Sequence, residues 1–325
     1  MQLLTENSSL WKKAFQIYET GIDSGELLHC HLDLKTWQNK LCQNGIDDLE
    51  KIAVASENGT AFAFGCISRV LEKAFVTLIL VDRDHRRRGL GRDVLFNLEQ
   101  QFRKRGFGRF ELSFFNPVTF SWTIPGKLSV THPNTPGVDV GSPAYLFLKN
   151  CGYRDFAIQN SYYLLLADDK AEFIHRTKYA ELVKKGYQIT HYEKEIHVGM
   201  KMFLRETQNP MWEREIISEP SISEGGRPIL VAVKDRQVCG FAGPLAVERG
   251  KRGYFAGIAV SVNCRGLGIA KSLFSSMCME LRDMGAEYMT LFTGENNPAR
   301  NIYEEAGFSI VRTWADMRKE KEYGE

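Results

Sequence analysis

Val260–Ala270 reads V-S-V-N-C-R-G-L-G-I-A. The apolar run leading into it, Tyr254–Val260 (Y-F-A-G-I-A-V), has the composition of a buried strand. Lys271–Gly285 after it carries Leu273, Phe274, Met277, Cys278 and Leu281 at helical spacing. A strand therefore runs into a tight turn with two glycines, and the turn opens a helix. The first turn of such a helix aims unpaired N–H groups at one point, with the positive end of the helix dipole behind them. A phosphate or pyrophosphate suits that point. Gly266 and Gly268 keep Cβ atoms out of its way, and Arg265 adds a full positive charge. A Walker loop is excluded, because Ala270 stands where a glycine should precede Lys271-Ser272. The dinucleotide fingerprint is excluded too, since its third glycine is missing.

The pattern that does fit is R/Q-x-x-G-x-G/A, as Arg265-x-x-Gly268-x-Ala270. Downstream, a strand at Tyr288–Thr293 precedes the run Asn296-Asn297-Pro298-Ala299-Arg300-Asn301-Ile302-Tyr303-Glu304-Glu305-Ala306-Gly307-Phe308. This is a short helix with Pro298 at its start and Gly307 just past its end. The two segments, in this order, resemble the acetyl-CoA signature and the N-x-x-A-x-x-x-Y-x-x-x-G-F segment of the GCN5-related N-acetyltransferase (GNAT) family. The resemblance implies an α+β fold with a mixed sheet, and transfer of an acetyl group from acetyl-CoA to an amine. It implies pyrophosphate on Arg265, Gly266, Leu267, Gly268, Ile269 and Ala270, and the pantetheine arm beside Ile258, Ala259 and Val260. Asn296 or Asn297 then lines the CoA side, and Tyr303 protonates the departing thiolate. Gly257 suits a bulge that parts neighbouring strands and opens a slot for the arm. Family members often carry a glutamate on the preceding strand, but Tyr254–Val260 has no carboxylate. Glu248 and Glu295 flank the region as candidates but read more readily as solvated surface charges, and deprotonation through water or capture of the small neutral-amine fraction also serves. The general base stays unassigned.

The first half repeats the pattern. A strand at Ala74–Val81 runs into V-D-R-D-H-R-R-R-G-L-G (Val81–Gly91), where Val81, Arg86, Gly89 and Gly91 precede Val260, Arg265, Gly268 and Ala270 by a constant 179 residues. Similarity at that separation means a duplicated domain. The expected division is a first domain at 1–168, a charged linker helix at 169–186 and a second domain at 187–325. By the same resemblance Ile79, Val81, Arg86, Arg87, Arg88, Gly89, Leu90 and Gly91 form a second CoA turn. Aligning Ala144 with Ala299 and Gly152 with Gly307 sets Leu148 where the second half has Tyr303, so the second domain is expected to be catalytic. The first half also inserts Val118–Ser142, rich in Pro and Gly, which either covers its cleft or serves substrate recognition.

Of the 325 residues 43% are apolar and 25% charged, the balance of a globular protein. The net charge of +2 argues against broad binding to nucleic acid or anionic membrane. No basic leader and no run of about 18 apolar residues occurs, so neither a signal peptide nor a membrane span is expected. Seven scattered cysteines without a C-x-x-C pair read as reduced thiols in a cytoplasmic protein. His29-Cys30-His31 invites a metal, but no further ligand has suitable spacing, so a loop or core role and no metal are expected. Amphipathic helices are expected at Ser8–Gly21 and Asp33–Asn44, and a charged, frayed tail at Asp316–Glu325. The expected partner is a small-molecule amine. The competing readings are a non-enzymatic acyl-CoA-binding protein and a protein N-terminal or lysine acetyltransferase, for whose peptide groove the near-zero net charge gives no hint.

Overall fold

The computed structural model describes residues 1–43, 48–127, 129–167 and 178–320. The chain forms two compact units, Met1–Ser161 together with the stretch from Val311 onward, and Tyr162–Ile310.

In the first unit come β1 (Gln2–Leu3), α1 (Leu10–Asp23), α2 (Leu34–Cys42), β2 (Leu49–Ala55), β3 (Ala61–Ser68), β4 (Lys73–Val81), α3 (Leu90–Lys104) and β5 (Arg109–Leu112). Short strands β6 (Trp122–Thr123), β7 (Thr131–His132) and β8 (Val138–Asp139) follow, then α4 (Pro143–Asn150) and β9 (Arg154–Leu165). The reading of Asp33 as a helix start holds: its carboxylate accepts from Thr36 N–H at 2.9 Å. β3 is apolar throughout because both faces are covered. Ala61, Ala63 and Ile67 join the core under α3, while Phe62, Phe64 and Cys66 join the core under α1 and α2.

The second unit holds a helix α5 (178–184), β10 (Tyr187–His191), α6 (Met200–Glu206), α7 (Pro210–Ser218), β11 (Leu230–Lys234), β12 (Gln237–Val247) and β13 (Arg252–Val260). It continues with α8 (Ile269–Asp283), β14 (Tyr288–Gly294), α9 (Arg300–Glu305) and the start of β15 (Ser309–Glu320). The β11–β12 hairpin turns on Asp235 and Arg236, with φ of 51° and 67°, as a two-residue turn between twisted strands requires. Again the sheet is covered on both faces. Leu273, Phe274, Met277 and Leu281 of α8 pack on one side, and Phe203 and Leu204 of α6 with Ile216 of α7 on the other.

The two units share one feature. β4 and β5 run parallel but pair only at Ala74↔Phe110 and Phe75↔Glu111, and β13 and β14 only at Arg252↔Tyr288 and Gly253↔Met289. Beyond those pairs the strands part.

The closing strands differ from the expected division. Residues 154–161 of β9 belong to the first unit and 162–165 to the second, while β15 from Val311 on belongs to the first. There it pairs antiparallel with β5, Met317 opposite Leu112, and with β8, Trp314 opposite Asp139. Asp316–Glu320 is thus strand rather than frayed tail, and residues 321–325 lie outside the described residues. So do Asn44, residue 168 and residues 169–177 of the expected linker helix. Among the described residues no helix is long and apolar enough to cross a membrane.

Asp316 shows why the charged run reads wrongly. Its side chain is fully buried, and its carboxylate accepts from Gln159 Nε2 at 2.9 Å and Phe114 N–H at 3.0 Å. Burial, with a smaller push from Glu111, raises its pKa to about 6. A carboxyl whose folded pKa lies above its ordinary value holds its proton more tightly when folded, so its contribution to stability falls as pH rises from about 4 to about 6. Asp316→Asn removes the titration, and Gln159 can turn its amide to accept from the new one. The stability of Asp316→Asn relative to wild type, from urea unfolding, should therefore rise by about 2–3 kcal/mol between those pH values. A constant difference would mean that Asp316 titrates normally.

Candidate functional site

The turn after β13 folds as its sequence predicts. Gly266 and Gly268 have φ of 78° and 87°, left-handed positions that L side chains rarely take, and a Cβ at either would meet nothing within 4 Å. The N–H groups of Gly266 to Lys271 find no backbone acceptor among the described residues, and α8 starts at Ile269. Leu267 and Ala270 are half-buried beside them. Arg265 is exposed, its Nε reaching back to the Val260 carbonyl at 3.5 Å, with no acidic partner among the described residues. The space, the unclaimed donors and the charge together fit an anion the size of a pyrophosphate.

The first unit repeats the backbone but not its freedom. Gly89 has φ of 83° and caps α3 at Leu90, but the position of Gly266 is taken by Arg87 at φ of 63°. Arg86 donates to the Val81 carbonyl at 3.1 Å and also to the Glu26 carboxylate at 2.7 Å. Asp93 adds an acid in the first turn of α3, where α8 has none. Arg88 is exposed, and Gly91 lies where a Cβ would press on Val81 and Phe147.

The expectation of a bulge at Gly257 is corrected. The β12–β13 register runs unbroken through Gly243↔Gly257 and Leu245↔Phe255. What changes is facing. Phe255 packs on the α8 side, and so do Ile258 and Val260, whereas Ala259 packs on the α6–α7 side. Strict alternation cannot satisfy both, so the strand steps over at Ala256–Gly257. In β4 the equivalent step is a register shift opposite Phe64–Gly65, after which Ile79 and Val81 face α3 as Val76 did. Gly257 is glycine for another reason. The indole of Trp212 lies on it, 2.4–2.6 Å from where a Cβ would be, and Trp212 Nε1 donates to the Ala256 carbonyl at 3.0 Å. Pro244, opposite Ala256, has no N–H to offer. Trp212 is held in place by α7, which starts at Pro210 with Asn209 Oδ1 accepting from Met211 and Trp212 N–H.

Tyr303 lies on α9 in the core of the second unit, 5.0 Å from the Phe274 ring and 6.1 Å from that of Tyr162. Its hydroxyl has no hydrogen-bond partner among the described residues. Burial, then Tyr162, pushes its pKa up to about 12, so the phenol stays protonated at neutral pH and can donate. Tyr162 OH is occupied, donating to Glu304 at 3.0 Å. The alignment with Leu148 stands on matching backbone bonds: Phe308 N–H reaches the Tyr303 carbonyl at 3.0 Å, and Tyr153 N–H reaches that of Leu148 at 3.0 Å. Leu148 is buried and can give no proton.

Asn297 takes an Asx turn, its Oδ1 accepting from Ala299 N–H at 3.0 Å, with Asn296 exposed beside it. Asn116 makes the same turn to Val118 N–H, but its Nδ2 also crosses to β4, reaching Thr77 Oγ1 at 3.1 Å and the Val76 carbonyl at 3.4 Å. The insertion packs against the first unit's own helices. Phe120 stacks on His29 at 4.6 Å and joins the core of Tyr18 and Trp37. His29, Cys30 and His31 form no metal cluster; among the described residues no group of three such ligands occurs. Of the two carboxylates singled out, Glu248 grips Arg252 through both oxygens at 2.7 and 2.9 Å, and Glu295 is exposed. Sequence reasoning missed Trp212 against Gly257, and the one local signal for it was the Asn209-Pro210 start of α7.

The Acetyltransferase (GNAT) family profile matches residues 11–121 and again 193–308. Among solved structures the chain resembles a fungal multi-domain GH3 β-N-acetylglucosaminidase with a GCN5-related glucosamine N-acetyltransferase region (TM-score 0.64, 14% identity, 98% of this chain and 38% of that one). The chain thus spans well under half of that protein's length. It also resembles a GCN5-related N-acetyltransferase from Sphaerobacter thermophilus (TM-score 0.60, 14% identity, 95% and 91% covered). A third is a tandem GNAT protein from the clavulanic acid biosynthesis pathway (TM-score 0.56, 14% identity, 99% and 98% covered). No curated protein sequence matches the chain significantly. With the family's domain matched twice over most of its length, the chain belongs to the GNAT acetyltransferase family.

Proposed function

We propose that the chain transfers the acetyl group of acetyl-CoA to a primary amine of a small molecule, and that the second unit carries the reaction. The observation that carries this is the contrast between the two halves. One turn has two open glycines, an unpaired Arg265 and a buried tyrosine with a free hydroxyl. The other has Arg87 at the strained position, Arg86 tied to Glu26, and Leu148. Arg265 and the amides of Gly266–Ala270 bind the pyrophosphate of the acyl donor. The backbone of Ile258–Val260, beside the parted strands, aligns the pantetheine arm, with Asn296 and Asn297 at its rim. An N–H there stabilises the oxyanion that forms as the amine attacks the thioester. Tyr303 gives its proton to the sulfur as the C–S bond breaks. In the first unit Asn116 holds the Val76 carbonyl where an arm would run, so Ile79, Val81 and the Arg86–Gly91 turn keep the shape without the ligand.

Two expectations follow. Calorimetric titration should give one CoA per chain, with Arg86→Ala leaving the stoichiometry unchanged. Gly268→Val should abolish binding, because a β-branched residue at positive φ costs about 1–3 kcal/mol and fills the anion's space. Two equivalents in wild type would return the first unit to the binding machinery. Separately, Tyr303→Phe should lower kcat for CoA release by roughly a hundredfold with acetyl-CoA affinity unchanged. The assay uses a panel of small amines, glucosamine among them. An equal effect on rate and affinity removes Tyr303 from the acid role.

A further inference from the structure

An amine near neutral pH is mostly ammonium, and its lone pair is free only after a proton has left. Glu248 is locked on Arg252 and Glu295 faces solvent. The α7-facing side of β13 meets another carboxylate. Trp212 seats α7 against Ala256 and Gly257, and Glu215 lies three residues on, on the same flank of the helix. The charge of Glu215 reaches the phenol of Tyr254, two residues before Ala256. Burial and then Glu215 raise that phenol's pKa, leaving Tyr254 a donor and not a base, while Arg227, Arg252 and Glu248 act on it more weakly.

Glu215 is tethered and still open. Its Oε1 accepts from Arg227 Nη2 at 3.2 Å, but Arg227 is committed more closely to Glu219, at 2.6 and 2.9 Å, and its backbone N–H also goes there. Glu215 Oε2 has no partner among the described residues, and the side chain is 30% exposed. A fixed carboxylate with one free oxygen, next to the point where β13 leaves β14, can meet a cation arriving at the thioester.

We propose that Glu215 binds the acceptor's ammonium group through Oε2 and takes its proton, so that the acceptor is a cationic primary amine entering between α7 and β13. This rests on acetyl transfer in the second unit. The ammonium gives one proton to Glu215, and the freed lone pair forms the N–C bond to the thioester carbon. The C–S bond breaks, and the sulfur takes the phenolic proton of Tyr303. The second amine proton restores the phenol through solvent, and Glu215 returns its own to water.

The test measures CoA release with the amine panel from about pH 6 to about pH 10, beside acetyl-CoA affinity by calorimetry. Glu215→Gln keeps the Arg227 bond through its amide oxygen. It should leave acetyl-CoA affinity unchanged and lower kcat about a hundredfold at neutral pH. The deficit should shrink about tenfold per pH unit as the free-amine fraction grows. Glu215→Asp, which keeps the charge at a shorter reach, should be slower than wild type with the wild-type pH profile. Glu213→Gln, whose carboxylate pairs with Arg205 at the surface, should match wild type. A loss that is constant across pH, or no loss, overturns the assignment to Glu215 and leaves acetyl transfer standing. Wild-type protein that binds acetyl-CoA and acetylates no amine overturns both.

Discussion

A pair of parallel strands that touch for two residues and then separate leaves backbone donors and acceptors without a ladder partner, and each such group must be satisfied by something else. Both units are built around that constraint. In the first, Asn116 bridges the parted strands from the loop after β5 and takes the Val76 carbonyl. In the second the corresponding asparagine, Asn297, spends its oxygen on its own turn and does not cross to β13 among the described residues. One half spans the gap with a side chain of its own, and in the other the matching side chain stays on its own turn.

The two glycine turns diverge by the same logic. Arg86 and Arg265 occupy one position and make the same backbone bond, yet only Arg86 has a carboxylate on it. Burial of an anion at a helix start is favourable when the donors are unspent, and an internal carboxylate competes for the same charge. The left-handed residue tells the same story. Gly266 takes its φ at no steric cost, whereas Arg87 is held there against its preference. Both turns keep the shared backbone, so their divergence lies in a handful of side chains.

Much of this was legible in the sequence because it is local. The turn, its helix and the spacing of Tyr303 from Gly307 are set within a few residues, and the repeat at a fixed offset gave the second copy. What escaped reading is long-range. Gly257 looked like a bulge glycine because a strand glycine usually marks one, but its reason is an indole 45 residues earlier in the chain. The seating of α7 escaped for the same reason, because it depends on the bond from Trp212 Nε1 to the Ala256 carbonyl, 44 residues on. Asp316 read as tail because Asp, Arg, Lys and Glu surround it, yet alternation in Trp314–Glu320 sends Ala315 and Met317 into the core under α3 and Asp316 to the opposite, equally buried face.

The closing strands are where the division of the chain departs from a simple tandem cut. β9 and β15 are both exposed at their start and buried from the sixth to the ninth residue, and a residue pattern sets which face of a strand is buried, not which strands it joins. Here the first unit is completed by residues from Val311 on, and the second includes Tyr162–Leu165 at the end of β9. The first unit is therefore built from two separate segments, and the second is the continuous stretch Tyr162–Ile310 between them. Removing the first half would leave β15 without the β5 and β8 edges it pairs with, exposing an unpaired strand with Trp314 and Met317 on it.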